Sequence, residues 1–274
     1  MTGDLNPQAK EMADESMVRN LAAQAEAIWP QESLLFDRYQ LPANANILDA
    51  GCGTGEISFR LAGMFHHSRL LGIDIIDDHL RLAPDRCSDL GERVRFENRS
   101  IFELGLPEST FDLTVCRHVL QAIPHADRAI AELVRVTKRG GRVLLITEDY
   151  LMINFERRHL DPDDFWSTVP REFGEATGPD LRIGRRAYGI LRRLGLVDIT
   201  IDYVTVDPLR VSRSTFAAIW RAWRDGYADT ISENTSISRG SFLEHFDDMI
   251  ATIEDPGSYG VWHVPVVAGK LPSL

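Results

Sequence analysis

The stretch NILDAGCGTGEISFRLAG, which begins at Asn46, limits the fold more than any other part of the chain. β-Favouring residues run into glycines at 51, 53 and 55, and the pattern then turns to helical spacing. Glycine carries no Cβ, so it tolerates a left-handed backbone and lets another group come close to the main chain. A strand that ends in alternate glycines and resumes as a helix is therefore expected to hold a ligand against its backbone.

The surrounding pattern alternates. Strands are predicted at 46–50, 69–75, 93–98 and 142–150, with one more starting at Phe111. Helices are predicted in GEISFRLAGMF, in DDHLRLAPDRCSDL with Pro84 interrupting it, and in HADRAIAELVRVTK, capped by Gly140 and Gly141. Short apolar strands separated by helices indicate a parallel sheet covered on both faces, an α/β fold. After Tyr150 the pattern loosens. Residues 151–180 are rich in Asp, Pro and aromatics; a helix and a sixth strand (VDITIDYVTVD) follow; 212–254 read as helical; YGVWHVPVVAGK reads as a last strand. The expected organisation is N-terminal cap helices over 1–40, a core over 41–150, a lid insertion over 151–180, further core over 181–211, a helical lid insertion over 212–254, and a last core strand within 255–274.

The formal charge of −11 repels phosphate backbones and argues against a nucleic-acid partner. No run of 18 apolar residues predicts a membrane span. The N-terminal MTGDLNPQAKEMADES has no apolar segment of a signal peptide, so a cytoplasmic location is expected. Cys52, Cys87 and Cys116 are too scattered for a disulfide framework or a zinc site and read as buried, reduced thiols.

The glycine spacing is G-x-G-x-G, one residue shorter than the dinucleotide fingerprint, which argues against a nicotinamide-dependent oxidoreductase. Asp74 ends the second strand, where an acid can grip a ribose diol. LDAGCGTG, GIDI, FDLTVCRHVL and RGGRVLLITE together resemble the class I S-adenosylmethionine-dependent methyltransferases, over roughly residues 40–150. The resemblance implies a Rossmann-like, seven-stranded, mostly parallel sheet with an antiparallel last strand, and S-adenosylmethionine as cofactor. It implies that Asp49, Gly51 and Gly53 face the methionine part, that Asp74 holds the ribose hydroxyls, and that Ile75 lies against the adenine. Ser100, Ile101 and Phe102 would border the adenine ring, Ser100 standing where many relatives carry an acid. Arg117 would lie beside the sulfonium, and Arg19 would reach the cofactor carboxylate.

Ligands of open α/β sheets bind at the carboxyl ends of the strands, and the candidate catalytic groups lie there: His118 after strand four, and Glu148, Asp149 and Tyr150 after strand five. Glu148 and Asp149 are adjacent and point to opposite sides of a strand, so one of them faces the pocket. No metal site is expected. CRHVLQ replaces the Asp-Pro-Pro-aromatic run of amino-methylating DNA enzymes. Phe165, Trp166, Phe173, Trp220, Trp223, Tyr227 and Trp262 furnish helix core or a surface for a flat substrate. The expected function is methyl transfer to a small organic acceptor, of aromatic or indole type, in specialised metabolism. The insertions and N-terminal helices would close over a mostly apolar pocket. The alternative is a cofactor-binding sensor or partner subunit that transfers no methyl group.

Overall fold

The computed structural model describes residues 5–273. A short helix α1 (Ala9–Met12) and a long helix α2 (Glu15–Phe36) precede the sheet. The chain then alternates: β1 (Asn46–Ala50), α3 (Glu56–Met64), β2 (Arg69–Asp74), α4 (Asp77–Arg86), β3 (Val94–Asn98), β4 (Phe111–Arg117), α5 (Ala126–Val136) and β5 (Thr137–Ile146). A short strand β6 (Ile153–Phe155) leads to α6 (Pro162–Thr177) and α7 (Gly184–Arg193). Next come β7 (Val197–Val206), α8 (Arg213–Asn234), α9 (Arg239–Glu254) and β8 (Gly260–Lys270).

β1 lies between β2 and β4, with β3 beyond β2 and β5 beyond β4, all parallel. β8 runs antiparallel to β5. β7 pairs along the other edge of β8, and β6 pairs with β8 at Gly260–Trp262, on the side of β5. The expected sheet is present, with short β6 added. Two apolar clusters cover its faces, one around Ile47, Val115 and Leu144, the other around Leu48, Cys116 and Leu145. Adjacent residues of one strand feed opposite cores, which is why the central strands read as unbroken apolar runs.

Strand order reverses beside β1, because its neighbours β2 and β4 are reached by crossovers on opposite sides. The carboxyl ends of β1 and β4 leave a crevice there, the usual ligand position in such sheets. α6, α8 and α9 stand beside that end, and α2 packs on α8. One expectation needs correction. Gly140 and Gly141 do not cap α5; they lie within β5, which starts at Thr137, and Gly140 has φ +77°. Within 151–180, residues 162–177 form a helix: the Asp161 carboxylate accepts from the backbone N–H groups of Asp163 and Asp164, Pro162 occupies the first turn, and Gly178 ends it at φ +99°.

Candidate active site

Gly51, Gly53 and Gly55 have φ of +77°, +52° and +78°, so the left-handed geometry the spacing suggested is present at all three. A Cβ on Gly51 would lie 2.2 Å from Val119 Cγ2, and one on Gly53 2.9 Å from Leu21 Cδ1 in α2. Gly51 N and Cys52 N donate to Ile73 O of β2 at 2.8 and 2.9 Å, and one carboxylate adds a further tie. Asp74 Oδ2 accepts from Gly53 N at 2.8 Å, and Oδ1 accepts from Ile75 N at 2.8 Å and Ile76 N at 3.0 Å.

Asp49, at the end of β1, is buried and accepts from Ser58 Oγ at 2.7 Å. Burial pushes its carboxyl up to about 6, against the opposite pull of the Ser58 bond and of Arg117. Arg117 ends β4 and contacts Glu32 of α2, Nη2 to Oε2 at 2.8 Å, both side chains being buried. Desolvation raises the Glu32 carboxyl although Arg117 draws it down. Glu32 thereby ties the N-terminal helix to the floor of the crevice.

The next residue after Arg117 is His118. It has φ +52°, which turns its side chain off the line of β4. His118 Nδ1 lies 2.5 Å from Glu148 Oε1, and Glu148 Oε2 accepts from Trp262 Nε1 at 3.0 Å. A carboxylate only accepts, so the ring proton sits on Nδ1. Nε2 is buried and has no protein hydrogen-bond partner. Glu148 is 1% exposed and Trp262 is wholly buried, so the imidazole is held from behind by groups with no freedom to turn.

One continuous cavity joins these elements and runs beneath the lid. Asp49, Gly51, Gly53, Asp74, Ile75, Ile101, Arg117, His118, Glu148 and Tyr150 line it, as the sequence suggested. Other expected residues lie elsewhere. Arg19 is exposed and paired with Glu15 at 2.9 Å. Asn20, its neighbour, faces the cavity with Gln24, and the Asn20 Oδ1 atom is buried without a partner. Ser100 and Phe102 turn outward: the Ser100 hydroxyl accepts from Phe102 N at 3.3 Å, and the Phe102 ring carries Arg128. Asp149 is buried on the far side, bonded to Arg185 at 2.5 and 2.7 Å and capping the turn at Leu151. Glu148 is thus the carboxylate that faces the cavity. Of the aromatics, Phe165, Trp166, Phe173, Trp223 and Tyr227 line it, whereas Trp220 packs in the core and Trp262 serves Glu148. The sequence reading missed Gln121, Asn20 and Gln24. The last two lie four apart on the buried face of α2, a spacing visible in the sequence.

A family profile described as a methyltransferase domain matches residues 41–167. With the sheet order and the glycine loop, it marks residues 41–167 as a methyltransferase domain similar to those of class I S-adenosylmethionine-dependent enzymes. The chain is 25% identical over 252 residues to an S-adenosyl-L-methionine-dependent Diels-Alderase of Talaromyces variabilis, covering 88% of this chain and 80% of the relative. It is 33% identical over 115 residues to 27-O-demethylrifamycin SV methyltransferase of Amycolatopsis mediterranei, covering 41% of each. The solved phosphoethanolamine N-methyltransferase 2 of Haemonchus contortus superposes with a TM-score of 0.58 at 17% identity, over 97% of this chain and 60% of that one. Among the described residues no helix is long and apolar enough to cross a membrane.

The cavity fits S-adenosylmethionine. The glycine backbone is open to it, Asp74 stands at the tip of β2, and Asn20 offers a buried carbonyl oxygen with no donor. Asp74→Ala removes the carboxylate that would grip the ribose and that also holds three loop N–H groups. Loss of such charge-assisted bonds costs about 1.5–3 kcal/mol, so cofactor affinity should fall roughly tenfold to a hundredfold. Titration calorimetry showing equal affinity would remove Asp74 from the site.

Asp49 gives a pH signature. Its folded pKa lies above the ordinary carboxylate value, so its contribution to stability is full below about 3.8 and is lost as pH rises through about 6. A cationic ligand beside it favours the ionised form. Cofactor binding at pH 5 should therefore release up to about one proton, and at pH 7.5 almost none. Calorimetry in buffers of different ionisation enthalpy reads this release, and Asp49→Asn should abolish it. Proton uptake at pH 5 would contradict the placement.

Proposed function

We propose that the protein methylates a heteroatom of a small aromatic acceptor, indole-type rings included, in specialised metabolism, with His118 as the base. The observation that carries this is the Glu148-held imidazole, with its unpartnered Nε2 on the cavity wall. When bound, S-adenosylmethionine supplies a methyl group already activated by the sulfonium. The work of the chain is to orient the acceptor, remove its proton and keep water out.

His118 Nε2 would take the proton from the acceptor O–H or N–H, leaving the heteroatom lone pair free for the sulfonium methyl, whose C–S bond pair returns to sulfur. The Glu148 carboxylate offsets the charge that then appears on the ring, and Trp262 fixes Glu148. Correct orientation alone supplies on the order of 7–11 kcal/mol in such reactions. The flat surfaces for it are Tyr150 and Trp166, whose rings lie 5.8 Å apart and almost parallel, with Trp223 edge-on to Tyr150. Methyl-labelled S-adenosylmethionine incubated with hydroxy- and amino-substituted indoles should yield labelled product and an equal amount of S-adenosylhomocysteine. Intact S-adenosylmethionine after prolonged incubation with the whole series would reject the proposal.

A second reading has its own support. The Diels-Alderase relative aligns over 252 residues, 88% of this chain, whereas the rifamycin methyltransferase matches a stretch of only 115 residues. On that reading the cavity folds a polyene for cycloaddition, the cofactor is bound but not consumed, and His118 is dispensable. Product formation without S-adenosylhomocysteine would select it.

A further inference from the structure

The cavity has two chemically different halves. Asp49, Asp74, Arg99, Arg117, His118 and Glu148 line it on the side of the strand ends. The lid half is formed by Phe165, Val169, Phe173, Ile231, Phe242 and Phe246 together with the ring systems already described. Among the described residues, no acidic or basic side chain of α6, α8 or α9 lines the cavity. Polar tips in this half are already turned to protein partners: Trp166 Nε1 donates to Met249 Sδ at 3.3 Å, and Tyr227 Oη donates to Gln8 Oε1 at 2.8 Å. His118 stands where the halves meet, its ring 5.9 Å from that of Trp262 behind it.

An anion carried into the lid half would leave water without gaining a counter-ion or a set of hydrogen bonds and would meet the electron-rich faces of the rings, a strongly unfavourable transfer. An apolar body meets no such penalty and is favoured by the area it removes from water. From this division we propose that the acceptor is an amphiphile that carries no anionic group. One O–H or N–H lies at the end that reaches His118, and an otherwise hydrocarbon or aromatic body fills the chamber between α6, α8 and α9. Phosphorylated and carboxylated acceptors are excluded by the same wall. The inference rests on the proposed acceptor site but not on the transfer step.

The test measures binding without turnover. The full chain saturated with S-adenosylhomocysteine is titrated by calorimetry with 1-naphthol, 1-naphthyl phosphate and 1-naphthoate. Naphthol should bind, and both charged compounds should bind at least a hundredfold more weakly. Val169→Trp, which fills the chamber from its wall, should abolish naphthol binding and leave S-adenosylhomocysteine binding within about threefold; Ile231→Phe serves if that variant does not fold. Charged ligands within tenfold of naphthol, or no naphthol binding at all, would overturn the proposal. So would naphthol binding that is indifferent to a filled chamber. Methyl transfer can fail with this preference intact, and the preference can fail with methyl transfer intact, so the two readings are separable.

Discussion

His118→Gln should lower turnover by about 10²–10⁴-fold, the usual contribution of a positioned general base. Glutamine has similar length and can still donate to Glu148, so the buried carboxylate at 1% exposure keeps a partner and the fold survives. What disappears is the lone pair on Nε2. Cofactor affinity should therefore stay within a few fold of the parent while kcat falls. Steady-state kinetics alongside calorimetry separates the two. Turnover within threefold of the parent would remove His118 as base and move the balance toward a reaction that needs no proton transfer. A parallel loss of cofactor affinity would show instead that the imidazole supports the cofactor half of the cavity.

This experiment depends on a feature only half visible in the sequence. Glu148 and Asp149 were legible as a pair with one member facing inward. Which one does so is fixed by partners far away in the chain: Trp262 on β8 takes Glu148, and Arg185 on α7 takes Asp149. Long-range pairing of this kind leaves no local periodicity. α2 was misread in a different way. Adjacent helical positions differ by about 100°, so the step from Arg19 to Asn20 separates an exposed ion pair from a buried wall. Charge drew the assignment to Arg19, although the apolar row of Met17, Ala25 and Ile28 marks the buried face that Asn20 and Gln24 share.

The glycine loop and the tip of β2 were legible because backbone geometry dictates them locally. Strand, left-handed turn and helix N-terminus need particular residues at particular spacings, and no distant partner alters that requirement. Ser100 and Phe102 lie in a loop whose side-chain directions follow from an isolated Ser100–Glu103 bridge, not from a repeating pattern. α6 carried its own signal in Asp161-Pro162, a cap and a first-turn proline, but the density of Asp and Pro around it resembled a loop. The lid was accordingly the part least readable from sequence, whereas most of the residues expected at the cofactor do line the cavity.

The glycine loop supports the second large prediction: Gly53→Val should abolish detectable cofactor binding. Two effects act at this position. The backbone sits at φ +52°, where a β-branched residue is strained by more than the 1–2 kcal/mol that an ordinary side chain meets. The new Cβ would also come within 2.9 Å of Leu21 Cδ1, so the Leu21 side chain must shift or the loop must move. If the loop moves, the Gly53 N–H leaves Asp74 Oδ2, and that tie between the β1 and β2 tips is lost. Gly53→Ala separates strain from bulk, since alanine meets the same backbone angle with less volume. Circular dichroism and thermal unfolding establish that each variant is folded; calorimetry with S-adenosylhomocysteine then reads the site. The expected order of affinity is parent, then alanine, then valine. A folded valine variant that binds as tightly as the parent would mean that the ligand does not approach this loop, and the assignment of the cofactor half would fail with it.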